Sequence, residues 1–265
     1  MGVLNITPDS FSDGGELATV DAALARAEQM LTDGADILDI GGESTRPATF
    51  RSHSPLPADE EMRRILPVIT AIAARFPAVP ISVDTYKSEA AAAAIKAGAV
   101  FINDISAMRA DPMMPAVAAS HGVPICLMHM PGLPGSLPAD PKYGDVVLEV
   151  RDHLSERAKA ARMAGIPREN IVLDPGFGFG KGVQENLALI RRLRELADLG
   201  YAVLVGTSRK STIGKVLGDL KPGDRLEGTA ATVALSIAFG AAIVRVHDVR
   251  EMARVARMSD AIVRG

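Results

Sequence analysis

The chain has 265 residues, 48% of them hydrophobic and only 4% aromatic, which is enough apolar material for a large aliphatic core. Its 29 basic and 32 acidic residues are well mixed and give a net charge of −3, which argues against nucleic acid or an anionic membrane surface as a partner. The single cysteine, Cys126, excludes an intramolecular disulfide and a cysteine-cluster metal site.

Eight short apolar runs alternate with longer segments of helical periodicity, the pattern of βα units in a parallel sheet. The predicted strands, in chain order, are 3–6, 37–40, 80–83, 100–102, 124–128, 171–173, 203–205 and 243–246. The predicted helices that follow them are 20–32, 60–75, 88–97, 112–120, 145–164, 183–196, 226–239 and 249–263. Several of these helices are followed directly by glycine, which is the typical left-handed cap residue.

Eight units without a linker predict one domain over residues 1–265, folded as a closed (β/α)8 TIM barrel. A doubly wound open sheet is the alternative. Polar residues follow seven of the apolar runs. A barrel brings the carboxyl ends of all its strands to one mouth, whereas an open sheet concentrates its ligand at one reversal of strand order. Polar tips on so many strands therefore favour the barrel.

The chain opens with MGVLNITPDS, which lacks the pattern of a signal peptide. Its longest weakly polar stretch, 229–244, is shorter than the roughly 20 residues that cross a bilayer. With one unpaired cysteine, these features predict a soluble protein of the cytoplasm, where thiols stay reduced.

The segment DPGFGFGK (174–181) predicts a strand that ends in a ligand-binding loop, because an acidic tip is followed by glycines that let a ligand approach the backbone. It lacks the spacing of a phosphate-binding P-loop and of the GxGxxG motif. HExxH, paired CxxC and GxSxG are absent from the sequence, so zinc hydrolysis and an elbow-type serine nucleophile have no support. What remains is a cleft that offers carboxylates and cations.

Eight segments together resemble the dihydropteroate synthase family of the folate pathway. They are LNITPDSFSDGG (4–15), IGGESTRP (40–47), SVDT (82–85), INDIS (102–106), LMHM (127–130), DPGFGFGK (174–181), SRKS (208–211) and RVHD (245–248). The resemblance implies an enzyme with two small-molecule substrates, which joins p-aminobenzoate to 6-hydroxymethyl-7,8-dihydropterin diphosphate and releases pyrophosphate.

A pterin presents a flat edge of hydrogen-bond donors and acceptors, so its pocket needs fixed polar side chains. The resemblance assigns pterin binding to Asp84, Asn103, Asp174 and Lys210, with Arg245 beside them. The alternative for Asp84 is capping of the helix near Ser88, and for Asn103 a loop hydrogen bond.

The leaving diphosphate needs cationic and hydrogen-bonding partners, and Arg245 and His247 are its predicted clamp. Alternation along the strand predicts that both side chains lie on one side of it. Their alternatives are a salt bridge for Arg245 and a satisfied structural histidine for His247. The resemblance also implies Mg²⁺ beside the diphosphate, with Asn5 as its side-chain ligand. Asparagine at a strand end is otherwise an ordinary turn former.

Two long loops follow the first and second predicted strands, and the resemblance implies that they close over the diphosphate and the second substrate. The matching residues in these loops are Phe11, Asp13, Thr45, Arg46 and Pro47, while Phe179 and Ser208 line the aminobenzoate side. We expect an SN1-like substitution, catalysed by Arg245, His247 and Lys210, in which Asp13 stabilises the carbon cation.

Other residues carry weaker expectations. His129 has a pocket-supporting or a structural role, His153 lacks ligand spacing, and Lys181 is interpreted as a surface charge. The helix 226–239 is apolar on nearly all sides, which predicts a homodimer through this region. Two alternatives to the synthase stay open: a methyltetrahydrofolate–corrinoid methyltransferase on the same barrel, and a catalytically silent paralogue.

Overall fold

The computed structural model describes residues 1–6, 20–44, 55–138 and 141–265. Its eight strands are parallel and lie side by side in chain order. They are β1 (Gly2–Asn5), β2 (Leu38–Gly41), β3 (Ile81–Asp84), β4 (Phe101–Asp104), β5 (Ile125–Met128), β6 (Ile171–Asp174), β7 (Ala202–Val205) and β8 (Ile243–Val244). The last strand leads back to the first, because the Val3 amide donates to the Val246 carbonyl at 3.0 Å and the Val246 amide to the Met1 carbonyl at 2.9 Å. The arrangement is like that of a TIM barrel.

Helices alternate with the strands. They are α1 (Val20–Thr32), α2 (Ala58–Arg75), α3 (Ser88–Ala97), α4 (Met114–His121), α5 (Val146–Met163), α6 (Val183–Arg191), α7 (Arg194–Ala197), α8 (Ser211–Val216), α9 (Leu226–Ala238) and α10 (Val249–Val263). Among the residues that the structure describes, no helix combines the length and the apolar character needed to cross a membrane.

Most of the predicted bounds lie within one or two residues of the observed ones, and three differences bear on the fold. The bounds of α1, α3 and α10 are those predicted, and every predicted strand is present. The predicted helix 183–196 is two helices, α6 and α7, because the chain leaves the helical region at Arg192. The six-residue α8 was not predicted, since it is too short to show a helical repeat. Strand β8 ends at Val244, two residues earlier than predicted.

The strands are short and mostly buried on both faces, as expected for a parallel sheet covered by helices. On one face of the strands, Phe101, Cys126, Val172 and Leu204 form a small apolar cluster together with Met1. Two residues further along each strand or its continuation stand Asn103, Met128, Asp174 and Gly206. Side chains alternate along a strand, so these positions share the face of the apolar cluster, one layer nearer to the carboxyl ends. The polar layer at the mouth therefore rests on an apolar layer below it.

Candidate active site

A cavity lies at the carboxyl ends of the strands. Its walls come from the ends of β3, β4, β5 and β6 and from the segments that follow β4, β6, β7 and β8. The lining residues are Asp84, Asn103, Ile105, Met128, Asp174, Gly176, Phe177, Phe179, Gly206, Lys210 and Arg245. All five residues predicted to bind the pterin thus line one cavity, although they are separated by up to 161 positions in sequence.

Arg245 joins two buried carboxylates at this cavity. Its Nε donates to Asp39 Oδ2 at 2.6 Å and its Nη2 to Asp84 Oδ2 at 2.7 Å. Asn103 Nδ2 also donates to Asp39 Oδ2, at 3.3 Å, and Ser82 Oγ donates to the other oxygen of Asp39 at 2.5 Å. Burial opposes the charge on Arg245, but Asp39 and Asp84 outweigh it and raise the pKa of the guanidinium. We call Asp39, Asp84 and Arg245 the Arg245 network.

Asp39 was missed by the sequence reasoning. It lies within β2, is 0% exposed, and accepts three hydrogen bonds from Ser82, Asn103 and Arg245. The available signal was an acidic residue inside an apolar run, because a buried carboxylate requires partners. The salt bridge considered as the alternative for Arg245 is therefore present, and it belongs to the cavity wall.

Asp84 does not cap the helix that begins at Ser88. The amide of Ser88 donates instead to Asp111 Oδ2 at 2.8 Å, so that this alternative for Asp84 is wrong. Burial raises the pKa of Asp84 to about 7, against the lowering effect of Arg245, and the nearby Asp39 raises it further. The ionised form of Asp84 therefore depends on the guanidinium of Arg245 beside it.

The segment 175–182, called here the β6 loop, folds back on the end of β6. The Gly176 amide donates to Asp174 Oδ1 at 2.7 Å. Gly176 has φ +68°, and a Cβ atom on it would lie 1.9 Å from the His129 carbonyl oxygen, so only glycine fits. Burial is the main cause of a raised pKa at Asp174, although Gly176, Lys210 and Lys181 act in the opposite direction.

Lys210 follows the end of β7 and reaches across to the β6 loop. Its Nζ donates to the Phe177 carbonyl at 2.8 Å and lies 4.2 Å from the centroid of the Phe179 ring. Burial lowers the pKa of Lys210 to about 8, although Asp174 acts to raise it. The ammonium group has no carboxylate as a direct partner among the described residues, and so it is available to a ligand.

Lys181 is not a surface charge, contrary to the prediction. Its Nζ donates to the carbonyls of Gly176 (3.0 Å), Phe179 (3.2 Å) and His129 (3.3 Å). Burial lowers its pKa to about 7, against the effect of Asp174. A lysine with three backbone acceptors fixes the shape of the β6 loop, a role that no sequence spacing reveals.

His129 and His153 meet behind this loop, with ring centroids 4.9 Å apart in an edge-to-face arrangement. Burial lowers the pKa of His129 to about 2 and that of His153 to about 4, so both rings are neutral. His129 contributes its carbonyl to Lys181 and its amide to the Asp174 carbonyl. Neither histidine ring belongs to the cavity lining.

His247 follows β8 and lies next to Ser208, which follows β7, and neither residue belongs to the cavity lining. Ser208 Oγ accepts the His247 amide at 3.2 Å and lies 3.1 Å from its Nδ1. Because Ser208 Oγ already accepts the His247 amide, the Ser208 hydroxyl proton can be donated to Nδ1 of the imidazole. This favours the histidine tautomer whose proton is on Nε2. Burial, followed by Arg245 and Arg209, lowers the pKa of His247 to about 3, which makes it a neutral donor.

Five predicted residues, all in the first two loops, lie outside the described part of the chain: Phe11, Asp13, Thr45, Arg46 and Pro47. Asn5 is described. It is the last residue of β1, half-buried, and pairs with Gly41 of β2. Within the described residues its side-chain amide makes no hydrogen bond to another side chain.

A second buried ionic cluster lies just after β2, where the loop between β2 and α2 begins at Gly42. Lys87 Nζ donates at 2.5 Å to both Glu43 and Glu61, and the Tyr86 hydroxyl also donates to Glu43. Glu43 accepts the Leu56 amide at 3.1 Å, which ties the two sides of this loop together. Sequence reasoning missed this cluster, because its members are separated by up to 44 positions.

The cavity combines features that suit one kind of ligand. Carboxylates and an amide at Asp84, Asn103 and Asp174 match the donors of a flat heterocycle edge, and Lys210 offers a cation to its acceptors. Arg245 in the lining offers donors to an anionic group at the β8 side, and the neutral His247, two positions further along the chain, offers another. A leaving group that gains negative charge as its bond breaks would therefore find hydrogen-bond donors already in position.

Comparison with known proteins gives consistent matches over almost the whole chain. The family model described as "Pterin binding enzyme" matches residues 1–247. The dihydropteroate synthase of Bacillus subtilis is 51% identical over 99% of this chain and 88% of its own length, and that of Escherichia coli strain K12 is 44% identical over 98% and 90%.

Solved structures agree with the sequence matches. The dihydropteroate synthase of Xanthomonas albilineans with 4-aminobenzoic acid superimposes with a TM-score of 0.90 at 45% identity, over 99% of this chain and 92% of that one. The same enzyme in complex with 7,8-dihydropteroate gives a TM-score of 0.87 at 44% identity, with the same coverage.

Proposed function

The chain belongs to the family of pterin binding enzymes, and we propose on that basis that its strand-end cavity carries out the dihydropteroate synthase reaction. The enzyme is a transferase that condenses p-aminobenzoate with 6-hydroxymethyl-7,8-dihydropterin diphosphate to 7,8-dihydropteroate and pyrophosphate, in folate biosynthesis. The observation that carries the proposal is the convergence of Asp84, Asn103, Asp174, Lys210 and Arg245 on one cavity, in a chain that matches a dihydropteroate synthase over 99% of its own length.

The pterin binds with its amino-bearing edge against Asp174 and its ring acceptors toward Lys210. Asp84 and Asn103 supply further partners from the neighbouring strand ends. The lowered pKa of Lys210 supports this assignment, because a partly desolvated ammonium makes stronger hydrogen bonds than one in water. Arg245 orients Asp84 through its Nη2 and leaves Nη1 without a partner among the described residues, so that it can contact the substrate.

The reaction breaks the bond between the methylene carbon and the diphosphate oxygen and forms a bond from that carbon to the amine nitrogen, which then loses a proton. An aromatic amine is a weak nucleophile, whereas the electron-rich dihydropterin ring stabilises a cation on the methylene carbon. Dissociation therefore precedes attack, as in an SN1 substitution. Arg245 and the Nε2–H of His247 stabilise the departing diphosphate, and Asp13 stabilises the cation.

The second substrate lies on the side of Phe179 and Ser208. Phe179 is buried in an apolar cluster with Ile105, Met128 and Met130, which supports a flat aromatic partner there. The remaining contacts to p-aminobenzoate and to the diphosphate are assigned to the loop residues Phe11, Thr45, Arg46 and Pro47, on resemblance alone.

A magnesium ion fits this site. The described residues contain no group of three or more acidic, histidine or cysteine side chains that could hold a metal by themselves. An ion that takes one protein ligand beside substrate phosphates does not need such a group. Asn5, with its amide not bonded to another described side chain, is the proposed ligand. When bound, Mg²⁺ would neutralise negative charge on the diphosphate.

The decisive experiment measures 7,8-dihydropteroate and pyrophosphate with both substrates and Mg²⁺ present. The synthase forms both products only when p-aminobenzoate is included. A methyltransferase would instead consume methyltetrahydrofolate in the presence of a corrinoid protein, and a silent paralogue would bind the pterin diphosphate without turnover. Absence of dihydropteroate under these conditions would refute the proposal.

We further propose that residues 1–265 form a single domain and that the barrel is closed, which the backbone bonds of Val246 to Met1 and Val3 support. The protein is proposed to act as a homodimer in the cytoplasm. Ala231 and Leu235 are exposed one turn apart on α9, with Leu235 48% accessible, and this strip is the proposed contact. A monomeric mass in light scattering at micromolar concentration would refute the dimer.

A further inference from the structure

Asn186 is a fully buried amide that none of the proposed substrate contacts explains. It is the fourth residue of α6 and is 0% exposed. Its Oδ1 accepts the Gly178 amide at 2.8 Å. Its Nδ2 lies within hydrogen-bond distance of the carbonyls of Gly182 (2.7 Å) and Lys181 (3.0 Å) and of Thr212 Oγ1 (3.0 Å). Burying an amide is costly unless its polar atoms are bonded, and these partners satisfy both ends of the Asn186 amide.

Three of these partners lie in the β6 loop, and the fourth lies elsewhere. Thr212 is the second residue of α8, two positions after Lys210, and is 4% exposed. The Lys210 carbonyl accepts the Ile213 amide at 3.1 Å, so Lys210 and the first turn of α8 form one local unit. Asn186 thus bonds the loop that follows Asp174 to the turn that carries Lys210.

Only one other side-chain hydrogen bond joins these two segments among the described residues, and it comes from Lys210 itself. Lys210 Nζ donates to the Phe177 carbonyl at 2.8 Å. A ligand in the cavity would compete with the Phe177 carbonyl for that ammonium. The bond from Asn186 to Thr212 does not involve a proposed substrate contact, and so a ligand would not compete for it.

We infer that Asn186 is a positioning residue, which holds Asp174 and Lys210 at a fixed separation through its bond to Thr212. The inference rests on the proposed function, because Asp174 and Lys210 are its pterin contacts. Two groups that bind opposite parts of one rigid ring must keep their spacing, and a misplacement of about 1 Å can cost a factor of about 100 in rate.

The bond is tested most cleanly from the Thr212 side. Thr212→Val removes the hydroxyl with little change of volume, whereas Thr212→Ser keeps the hydroxyl and loses only the methyl group. Ser236→Ala serves as the control, since Ser236 is a buried hydroxyl on α9 that bonds the Thr232 carbonyl at 2.7 Å, outside both segments. Asn186→Asp is less informative, because a buried carboxylate facing carbonyl oxygens destabilises the fold itself.

We expect Thr212→Val to lower kcat by about tenfold per folded molecule and to weaken calorimetric binding of the dihydropterin diphosphate alone by a similar factor. Thr212→Ser should recover most of both quantities. Ser236→Ala should lower the melting temperature without changing either. If Thr212→Val matched Ser236→Ala, with lower stability and unchanged kcat and affinity, the bond would be merely structural and the inference would be wrong.

The binding measurement separates this inference from the proposed function. A wild-type chain that forms no dihydropteroate refutes the synthase assignment, whereas its affinity for the dihydropterin diphosphate still reports on the loop spacing. Equal affinities of the wild type and Thr212→Val would overturn the inference in either case.

Discussion

The two sides of the cavity hold their charges in opposite ways. On the β2–β3–β8 side, the Arg245 network pairs one guanidinium with two buried carboxylates, at 2.6 and 2.7 Å. On the β6–β7 side, Asp174 and Lys210 are held by backbone groups: Asp174 accepts the Gly176 amide, and Lys210 donates to the Phe177 carbonyl. One side is an ionic structure that exists before any ligand arrives, and the other keeps its charges available.

This difference separates stability from recognition. A buried ion pair that loses one member leaves an uncompensated charge, which is strongly destabilising. A buried charge that is bonded only to neutral groups carries a desolvation penalty, so its removal need not destabilise the fold. Residues on the first side should therefore affect both folding and catalysis, whereas those on the second side should affect catalysis alone.

The largest effect is expected for Arg245→Met. It leaves Asp39 and Asp84 side by side without their cation and removes a proposed contact to the leaving group. We expect kcat/KM to fall by at least about 1,000-fold, and the free energy of unfolding to fall by about 3–5 kcal/mol. Dihydropteroate formation and urea unfolding measure the two quantities.

Arg151→Met is the matched control for this change, because Arg151 forms a salt bridge with Asp152 on the surface of α5. Exposed pairs of this kind contribute about 0–1 kcal/mol, so both measurements should stay near the wild type. An Arg245→Met protein as stable as this control would show that the Arg245 network is not an ionic structure of the fold.

Asp174→Asn should separate the two quantities on the other side of the cavity. The side-chain oxygen of asparagine can still accept the Gly176 amide, while the charge that faces the pterin is lost. We expect kcat/KM to fall by about 100-fold, with the free energy of unfolding unchanged within about 0.5 kcal/mol or increased.

Asp104→Asn provides the contrast. Asp104 is also fully buried, but it accepts the amides of Ser106 and Met108 and the Ser106 hydroxyl, outside the cavity lining. Asp104 uses both of its side-chain oxygens as acceptors, whereas asparagine has only one, so a buried amide loses its acceptor. Asp104→Asn should therefore lower stability and leave kcat per folded molecule nearly unchanged. If Asp174→Asn behaved in the same way, Asp174 would be a loop residue and not a substrate contact.

The sequence predicted the fold well because that prediction depends on local periodicity. Apolar runs separated by helical segments locate each βα unit, and a glycine after a helix marks where the helix ends. The errors fall where local signals are weak. The short α8 contains too few turns to show a repeat, and the break at Arg192 lies within a continuous apolar pattern.

Site residues at strand tips were predictable because a parallel barrel brings all such tips together. Asp39, Lys181 and Asn186 were not, since each acts through partners that are distant in sequence or through backbone atoms. Asp39 meets Arg245 across 206 positions. Lys181 binds three carbonyls whose positions depend on the glycine conformations of the loop. Such roles depend on contacts that exist only in the folded chain.

The pH dependence of the reaction should distinguish Lys210 from the Arg245 network. Burial lowers the pKa of Lys210 to about 8, whereas the pKa of Arg245 is raised. Pterin binding needs the protonated amine, so kcat/KM for the pterin diphosphate should fall about tenfold per pH unit above about pH 8. Lys210→Arg stays charged throughout and should abolish this decrease, even if its rate is lower. A decrease that persisted in Lys210→Arg would assign the titration to another group, with Lys181 the first candidate.

The smallest effect is expected for His247, which lies between the two sides of the cavity. Burial lowers its pKa to about 3, so that it offers one neutral donor and no charge. His247→Gln keeps a donor but changes its position, and kcat should fall by only about tenfold, the contribution of one hydrogen bond. The pH profile between pH 5 and 8 should keep its shape, because the wild-type ring does not titrate there. A wild-type transition near pH 6.5 that is absent from His247→Gln would show a charged imidazolium at the diphosphate and would place His247 with the ionic side of the cavity.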